Sequence, residues 1–385
     1  MIANISWMAG VIYLGLLLLK LCLAIAYYRR QNSCSRSDSI TSEQANEFCI
    51  VQPILSGDPK LESILWMNVQ TLPKEVQFLW MIDTDDFVAR EICERLRTQE
   101  PANCDRISVF DCQPAPMNKN PKTWKLQFAI EVCNRRYLVV LDDDTTIDNT
   151  CLVAAWTSLK THALYTGLPM YRRGESIWSD LVTHFVANNS VLTYLPPLML
   201  FEPLTINGMF YATRTDILRR LGGFAAIVNE LCDDYAIKKL YSRAGERIHQ
   251  GVSLQQISTS LGSFVDYHRL LHRWNLFAIQ LFKDQRLVVQ AVMAVFLGLP
   301  PVLLLVGLLA SLFDFWSLGY FVLVLLARDA LLRMGQSVLF GKKASMNSVL
   351  SVVAEFLQPF HLISASINPS IRWRHRTIRV GIDMR

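Results

Sequence analysis

The stretch YLVVLDDDTTI, residues 137–147, decides the fold. Its first five residues form an apolar run that is short enough for a buried parallel strand, and three acidic residues follow at once. Ligands of open α/β sheets bind beyond the carboxyl ends of the strands, so Asp142, Asp143 and Asp144 are expected at a binding edge. Although a single aspartate there is usually a turn or cap residue, three adjacent carboxylates raise one another's pKa unless a cation compensates. The stretch therefore predicts a site for Mg²⁺ or Mn²⁺ and a nucleotide diphosphate.

An alternation of strands and helices extends over residues 45–265. Short apolar runs predict buried strands, and the amphipathic segments between them predict helices. This order is typical of an α/β domain with helices packed on a mostly parallel sheet. The predicted strands are 48–55, 76–82, 106–110, 137–141 and 163–166, and the predicted helices are 61–70, 88–99 and 122–133.

Two more acidic sets occur in this region. Asp83, Asp85 and Asp86 follow the apolar run FLWMI, and Asp233 and Asp234 precede the helical stretch AIKKLYSRAG. Either set can serve as a turn or a helix N-cap, where the helix dipole favours an acid. The functional interpretation is part of the ligand site for the first set and a general base at a helix start for the second.

Composition excludes several classes of protein. Of the 385 residues, 51% are hydrophobic and 18% are charged, which excludes a disordered chain, a collagen and a coiled coil and indicates that part of the chain lies in lipid. A net charge of +5 is too weak to argue for nucleic-acid binding. Nine cysteines without a CxxC pair exclude a disulfide scaffold and favour reduced thiols in a cytosol-facing domain.

The first apolar run, residues 5–28, predicts a retained membrane anchor. It carries one charge, Lys20, and ends at Arg29-Arg30. A signal peptide has its positive charges before the apolar run, whereas this basic pair follows it. The pair places the following residues in the cytosol, and Lys20 is expected to reach the interface by snorkelling.

Two further apolar stretches predict a transmembrane hairpin. Residues 287–313 hold no charge, and their Pro300-Pro301 pair predicts a kink or break. Residues 315–334 contain Arg328-Asp329, and these two charges either pair with each other or face another helix.

The stretch 349–367 is a weaker candidate for a span. It contains Glu355, Pro359 and His361, and it is predicted to be re-entrant or interfacial because a fourth full span would export the basic tail. The tail is either a surface patch for anionic lipid or an ordinary solvated end. The basic residues of this region are Lys342, Lys343, Arg372, Arg374, Arg376, Arg379 and Arg385.

Positive charge and hydropathy together predict five parts. They are an N-terminal transmembrane anchor (1–30), a cytosolic α/β domain (45–265), an amphipathic interface segment (266–286), a transmembrane hairpin (287–336), and a re-entrant or fourth membrane segment with the basic tail (337–385).

Eight segments of the chain identify a protein family. Their order along the chain is more specific for that family than any single segment is. They are QPILSGDPKLESIL (52–65), DTDD (83–86), NPKTWKL (120–126), YLVVLDDDTTI (137–147), TGLPMY (166–171), NGMFYATRTDILRRLGGF (207–224), CDDYAIKK (232–239) and HRW (272–274). In this order they resemble the ceramide glucosyltransferase family of inverting, membrane-bound glycosyltransferases. The resemblance implies a GT-A fold, which is Rossmann-like with a mostly parallel sheet, flanked by transmembrane helices.

The resemblance also implies an activity. A family member of this kind transfers a hexose, glucose in the first instance, from a UDP-sugar to the hydroxyl of a membrane lipid in glycolipid and sphingolipid biosynthesis. The implied cofactor is Mg²⁺ or Mn²⁺, and the implied partners are the UDP-sugar donor, the lipid acceptor and the bilayer. A bacterial inner membrane and a Golgi membrane both suit such a multi-pass protein with a cytosolic catalytic domain.

The acidic residues match family positions with distinct roles. Asp234 matches the catalytic base. Asp83 matches the aspartate that holds the uridine, and its neighbour Asp85 could share that role. Asp142 matches the DxD-like position that binds the metal and the sugar diphosphate. Asp144 completes a full DxD motif and is implied as a second metal ligand. Eukaryotic ceramide enzymes often carry DSG in place of this motif.

Three further residues match donor-side positions. Lys122, in NPK, matches a position near the donor, and Arg273 and Trp274 match the end of the (Q/R)xxRW motif. The chain departs from that motif at Leu270, which stands at the Gln/Arg position, so that either Arg269 substitutes after a local shift or the contact is missing.

Other functions share these features. The full DxD leaves room for a relative that acts on diacylglycerol, a hopanoid or a polyprenyl phosphate. A processive polysaccharide synthase would share the aspartates but usually needs more spans for an exit pore. A non-catalytic membrane scaffold with a degenerate nucleotide fold is the alternative outside enzymes.

Overall fold

The structure of the chain is a computed structural model that describes residues 2–32, 39–341, 347–373 and 376–379. It divides into two compact units. The sheet unit contains the described residues of 39–172, 203–260 and 378–379. The helical unit contains the described residues of 2–32, 173–202, 261–341, 347–373 and 376–377. The basic residues Lys342, Lys343, Arg374 and Arg385, for which the sequence predicts a cytosolic surface, lie outside the described residues.

One sheet forms the centre of the sheet unit. Its strands are β1 (Phe48–Pro53), β2 (Gln77–Asp83), β3 (Ile107–Cys112), β4 (Tyr137–Leu141), β5 (Thr145–Thr146), β6 (Leu164–Tyr171), β7 (Phe210–Arg214) and β8 (Ile248–Ile257). Their order across the sheet is β3-β2-β1-β4-β7-β6-β8-β5. β1 pairs in parallel with β2 and β4, and β2 with β3, whereas β7 is antiparallel to both β4 and β6. The predicted α/β class with a mostly parallel sheet is confirmed.

Helices alternate with these strands and make up most of the helical unit. In chain order they are α1 (Ile2–Asn32), α2 (Ser42–Ala45), α3 (Leu61–Thr71), α4 (Phe87–Thr98), α5 (Pro101–Arg106), α6 (Pro121–Val132), α7 (Asn149–Leu159), α8 (Ile177–Tyr194), α9 (Thr215–Arg220), α10 (Asp233–Arg243), α11 (Phe264–Lys283), α12 (Leu287–Met293), α13 (Leu299–Ser311), α14 (Phe315–Phe340) and α15 (Ser348–Ile367). Shorter elements are two 3-10 helices, Pro196–Met199 and Gly223–Ile227, and a separate sheet of β9 (Ser370–Trp373) and β10 (Arg376–Arg379).

Both faces of the sheet are covered, as a parallel sheet requires. Alternate residues of β1 contribute to two different core clusters, with Phe48 and Ile50 in one and Cys49 and Val51 in the other. Since side chains alternate across a strand, the all-apolar runs of the sequence reflect burial on both sides.

Polar caps fix where the helices near the carboxyl edge of the sheet begin. The Asp86 carboxylate accepts from the Ala89 N–H at the start of α4. The Asn120 side chain accepts from the first N–H groups of α6, and Pro121 occupies the first turn, where its missing N–H costs nothing. These caps set the direction in which α4 and α6 leave the edge.

The predicted strands and helices of the sheet unit match the observed elements within a few residues, except that β6 extends to Tyr171 instead of ending at 166. The later strands escape prediction because polar side chains interrupt their apolar pattern. In β8, for example, Gln250 and Gln255 are buried, and the Gln250 amide donates to the Gly167 carbonyl at 2.9 Å.

Four helical segments of the described chain are long and apolar enough to cross a membrane. They are Asn4–Gln31, Leu287–Ser311, Phe315–Phe340 and Ser348–Ile367. This finding agrees with a membrane protein. The segment predicted at 349–367 is a continuous 20-residue helix with Pro359 inside it, and its re-entrant or spanning course stays a prediction.

The Pro300-Pro301 pair, for which the sequence predicts a kink or break, changes the hydrogen-bonding pattern of a continuous helical segment. Both prolines lie in the first turn of α13, and the preceding Ala294–Gly298 segment is π-helical. In an α-helix the Phe296 carbonyl would accept from the N–H of residue 300, and in a π-helix from that of residue 301. Both residues are prolines and have no N–H. Lys20 supplies the donor instead, with its Nζ 2.8 Å from the Phe296 oxygen. The predicted snorkelling of Lys20 is therefore wrong, because its ammonium is buried and bonded inside the helical unit.

Arg328 faces other helices rather than its neighbour in the chain. Its guanidinium lies 2.7 Å from a Glu355 carboxylate oxygen and donates to the Tyr13 hydroxyl at 3.1 Å and to the Ser351 hydroxyl at 3.1 Å. Asp329 pairs with Arg333 at 2.8 Å. The second of the two predicted arrangements is thus the observed one.

Candidate active site

Two acidic segments of the sheet unit meet where β4 ends and β7 begins. The Asp142 N–H donates to the Met209 carbonyl at 3.0 Å, which joins the loop after β4 to the loop before β7. That second loop carries Gly208, and a Cβ added to this glycine would lie only 2.9 Å from the Cβ of Asp234. The start of α10 therefore packs directly on the loop that precedes β7, and a side chain at position 208 would push it away.

Lys122 links the two acidic segments. Its ammonium lies 2.7 Å from Asp142 Oδ1 and 3.1 Å from Asp233 Oδ2, and it donates to the Gly208 carbonyl at 2.8 Å. Burial opposes the charge, but the two carboxylates outweigh it and raise the pKa of Lys122 above its ordinary value. The lysine therefore remains an ammonium and holds the loop after β4, the loop before β7 and the start of α10 together.

The start of α6 is tied to the same place from the other side. The Asn120 amide donates to the carbonyls of Glu230 and Leu231 at 3.1 Å each, while its oxygen caps the helix at the Lys122 N–H. One side chain thus aligns α6 with the segment that leads into α10. This explains why the Asn-Pro-Lys sequence suits the position: it combines a cap, a helix start and a cation.

The remaining two aspartates after β4 are half-buried. Burial, with the charge of Asp142 added, raises the pKa of Asp143 to about 7, although its Oδ2 accepts from the Leu55 N–H at 2.7 Å. Burial and the charges of Asp142 and Asp143 raise the pKa of Asp144 to about 8. At this edge of the sheet the carboxylates outnumber the cationic side chains, as the three consecutive aspartates predict.

Asp234 has two chemically different oxygens. Its Oδ1 accepts from the Cys232 thiol and from the Tyr235 N–H, both at 2.7 Å, and a Cβ at Gly208 would lie 3.4 Å from Oδ2. Burial and the charge of Asp233 raise the pKa of Asp234 to about 6. A carboxylate with a pKa near neutrality is suited to general-base work.

Asp83 is buried at the end of β2. Its carboxylate lies 3.1 Å from the Lys125 ammonium, which also donates to the Ile54 carbonyl at 2.7 Å. Lys122 and Lys125 are three residues apart and so share one side of α6. The same helix therefore neutralises an aspartate after β2 and another after β4.

The other two acids near β2 differ from each other. Asp86 is the N-cap of α4, and its second oxygen accepts from the Ser56 N–H at 2.8 Å, so it has the structural role that a strand-end aspartate often has. Asp85 is exposed to solvent.

The two residues of the (Q/R)xxRW match belong to the helical unit. Arg273 is half-buried on α11, and the Trp274 ring lies 6.0 Å from the Phe185 ring. Arg269 pairs with Asp266 on the same helix at 3.6 Å, while Leu270 is half-buried. The structure thus brings Lys122, Asp142 and Asp234 into one cluster, and it places Arg273 and Trp274 in the other unit.

The residues after β4 fit a divalent cation chemically. Asp142 and Asp144 offer carboxylate oxygens, which Mg²⁺ and Mn²⁺ prefer, in a place where carboxylates outnumber cations. In the described ranges, no group of three or more His, Cys, Asp or Glu side chains is placed to hold a metal by itself. The remaining ligands would have to come from water or from a substrate diphosphate.

Sequence reasoning missed three residues of this cluster. Lys125 had a signal in its three-residue spacing from Lys122, and Cys232 had one in its position beside the acidic pair. Gly208 had none, because the close approach of α10 is visible only in three dimensions.

Comparisons with known proteins agree with this architecture. The family model for glycosyl transferase family 21 matches residues 16–385. Among solved structures, the mannosyltransferase PcManGT from Pyrobaculum calidifontis, solved with GDP-Man and Mn²⁺, is 15% identical, with 96% of this chain and 98% of that chain covered at a TM-score of 0.53. At that identity the likeness shows the fold alone, and the fold is the predicted GT-A type.

A second solved structure is more distant. Glucosyl-3-phosphoglycerate synthase from Mycobacterium tuberculosis, in complex with Mn²⁺, uridine diphosphate and phosphoglyceric acid, is 15% identical over 62% of this chain and 82% of that chain, and its TM-score of 0.35 is too low to support an argument. No curated protein matches the chain. Because the family model covers nearly all of the sequence, the chain belongs to glycosyl transferase family 21, the ceramide glucosyltransferase-like family that its motifs predicted, and it is a glycosyltransferase.

Proposed function

We propose that the protein is an inverting glycosyltransferase that moves a hexose, glucose in the first instance, from a UDP-sugar to the hydroxyl of a membrane lipid such as ceramide. The observation that carries this proposal is the cluster in which Lys122 joins Asp142 to Asp233, next to Asp234. Four apolar helices in the same chain favour an acceptor that lies in a bilayer.

Asp234 is the proposed catalytic base. In this role its carboxylate takes the proton of the lipid hydroxyl while the hydroxyl oxygen attacks the anomeric carbon from the face opposite the leaving diphosphate. A single displacement inverts the anomeric centre and needs no enzyme nucleophile. The pKa of Asp234, about 6, leaves the carboxylate mostly ionised at neutral pH.

Asp142 and Asp144 are the proposed ligands of Mg²⁺ or Mn²⁺. When bound, such an ion neutralises charge that develops on the leaving nucleotide diphosphate. The Mn²⁺ of the mannosyltransferase complex supports testing this cofactor. Both aspartates must be ionised to bind it, which the raised pKa of Asp144 opposes until a cation arrives.

The donor-side residues have proposed roles of their own. Asp83 and Asp85 are proposed to hold the uridine, with Lys125 fixing the Asp83 carboxylate. Lys122 is proposed to contact the diphosphate, to which it could present its ammonium. Arg273 is proposed to stabilise the leaving group and Trp274 to stack on the acceptor or lie at the bilayer interface.

The proposed setting is a multi-pass membrane protein with its catalytic domain in the cytosol. The basic pair Arg29-Arg30 in the last turn of α1 supports this orientation by the positive-inside rule. The 20-residue amphipathic helix α11 is the proposed interface segment, which would lie along the surface of the bilayer.

The deciding experiment measures nucleotide release by the detergent-purified protein. UDP-glucose, UDP-galactose, UDP-N-acetylglucosamine and GDP-mannose are each combined with ceramide or diacylglycerol, with Mn²⁺ or with a chelator. The expected result is metal-dependent UDP release that requires one lipid. Asp234→Asn should lower it by at least about a hundredfold while UDP binding remains. Asp216→Asn is the matched control, since Asp216 is exposed and pairs with Arg214 at the surface.

Each other outcome selects an alternative. Substantial activity in Asp234→Asn would overturn the base assignment. UDP binding without lipid-stimulated release would move the acceptor to a hopanoid, a polyprenyl phosphate or a growing polysaccharide. Loss of UDP binding in the native protein would leave the membrane scaffold as the better description.

A further inference from the structure

Cys232 stands at the start of α10, where a helix usually has a polar cap. Its side chain makes no cap hydrogen bond to the helix backbone. The thiol instead lies 2.7 Å from Asp234 Oδ1, and the residue is 7% exposed. The side chain is thus directed at the carboxylate.

The thiol is in the protonated state that this contact needs. Burial, followed by the nearby charge of Asp234, raises the pKa of Cys232 well above its ordinary value. A protonated thiol can donate to a carboxylate, whereas a thiolate would repel it. The same pKa shift makes the thiol a poor nucleophile and argues against a covalent role.

The two donors on Asp234 act on one oxygen only. The Cys232 thiol and the Tyr235 N–H both reach Oδ1. Gly208 lies beside the carboxylate on the side of Oδ2, where an added Cβ would lie 3.4 Å from that oxygen and 2.9 Å from the Asp234 Cβ. The carboxylate is therefore held in one orientation, with Oδ2 as its less occupied oxygen.

We propose that Cys232 is a positioning residue for Asp234, which holds Oδ1 so that Oδ2 is the oxygen that accepts the proton of the lipid hydroxyl. The inference rests on the proposed function, because it needs Asp234 to be the base. The thiol has a second effect: a donor to a carboxylate favours the ionised form and so keeps the base deprotonated at lower pH.

Several charged or titratable groups surround Asp234 and contribute to its ionisation. They are Asp233 on α10, Lys122 on α6 and Tyr211 on β7. A substitution at Cys232 leaves all of these in place. A change in the pH dependence of such a variant therefore reports the thiol contact itself.

The test compares Cys232→Ala with Cys232→Ser in pH profiles of kcat. The alanine variant lacks the donor, so the pKa of the base should rise and the acidic limb should move to higher pH by about half a unit to one unit. At pH 7 this shift should lower kcat by up to about twofold, with an unchanged KM for the donor sugar. The serine variant keeps a hydrogen-bond donor, so the acidic limb of its pH profile should lie at the same pH as in the native protein. Cys93→Ala, at a buried cysteine on α4, is the control for lost packing and should not move the limb.

A second measurement needs no activity. The infrared S–H stretch of Cys232, isolated as the difference between native protein and Cys232→Ala, should shift in Asp234→Asn because the charged acceptor is gone. An unshifted acidic limb in Cys232→Ala together with an unshifted S–H band would overturn the inference. An inactive native protein would instead overturn the proposed function, and the infrared result would still decide whether the thiol bonds to Asp234.

Discussion

Arg328 in the helical unit and Lys122 in the sheet unit are both cations enclosed among acids, but their surroundings differ. The Arg328 side chain has 0% exposure, and one carboxylate, that of Glu355, opposes it. The Tyr13 hydroxyl accepts from its Nε–H, which also reaches Glu355, and the Ser351 hydroxyl accepts from a terminal N–H. The charge of Arg328 is thus balanced by that of Glu355, and its N–H groups have hydrogen-bond acceptors.

Lys122, by contrast, is surrounded by more carboxylates than one ammonium can neutralise. Its single ammonium is shared by Asp142 and Asp233. Burial and the neighbouring carboxylates raise the pKa values of Asp143 and Asp144, and the charges of Lys125 and Lys122 offset this only in part. The helical unit uses a buried cation to complete a structure, whereas the sheet unit leaves a deficit of positive charge that a ligand can fill. Such a deficit is characteristic of functional sites.

The largest expected effect comes from breaking the matched pair. Arg328→Met would leave the Glu355 carboxylate enclosed without a cation and should lower the free energy of unfolding by about 3–5 kcal/mol. Thermal unfolding in detergent measures this loss. The double variant Arg328→Met/Glu355→Gln should recover most of it, because neither member of the pair is then left charged without its partner.

The control for this prediction is the exposed pair on the same helix. Arg333 pairs with Asp329 at 2.8 Å, and its side chain is 49% exposed. Arg333→Gln should change the free energy of unfolding by no more than about 1 kcal/mol. Equal losses in Arg328→Met and Arg333→Gln would contradict the description of Arg328 as a structural cation.

The second prediction concerns the shared ammonium. Lys122→Met removes a competing cation from Asp142, so Mn²⁺ should bind the donor-free protein roughly tenfold more tightly, as followed by electron paramagnetic resonance. UDP binding at saturating Mn²⁺ should weaken roughly tenfold, because the diphosphate loses a cation. Lys119→Met, whose exposed ammonium binds Asn229, is the matched control. If Lys122→Met changed the Mn²⁺ affinity and the UDP affinity in the same direction, Lys122 would not be a cation that pairs with Asp142 in the free protein and with the diphosphate in the complex.

The third prediction is a pH dependence. The pKa of Asp144 is about 8 in the folded chain, against about 4 in an unfolded one, so the folded protein holds a proton that the unfolded chain has lost. In chelator, the free energy of unfolding should therefore fall as pH rises from about 4 to about 8. Asp144→Asn should show a shallower fall in thermal midpoints over this range. Added Mn²⁺ should oppose the fall, since metal binding requires the ionised form. Identical slopes for native and variant protein would refute the assignment.

The sequence predicts the apolar parts of this molecule better than its polar contacts. The run 137–141 specifies a strand because every residue in it is buried, and that strand places Asp142 at the sheet edge whatever the rest of the chain does. The lysines of α6 are visible as residues, yet the choice of Asp142, Asp233 and Asp83 as their partners depends on loops distant in sequence. β8 escapes prediction for the same reason, because its buried glutamines find partners that no local pattern reveals.

The bond between Lys20 and the Phe296 carbonyl has a consequence for biosynthesis. The two residues are 276 positions apart, so α1 is translated and inserted long before its partner exists. A lysine at the centre of a span costs about 2.5–3.5 kcal/mol during insertion, and less near an end. In the proposed membrane anchor, this insertion cost persists until the segment that contains Phe296 is made, and chains that stop before residue 287 never make the bond. Such truncated products should be held less firmly in the bilayer and cleared first by membrane quality control.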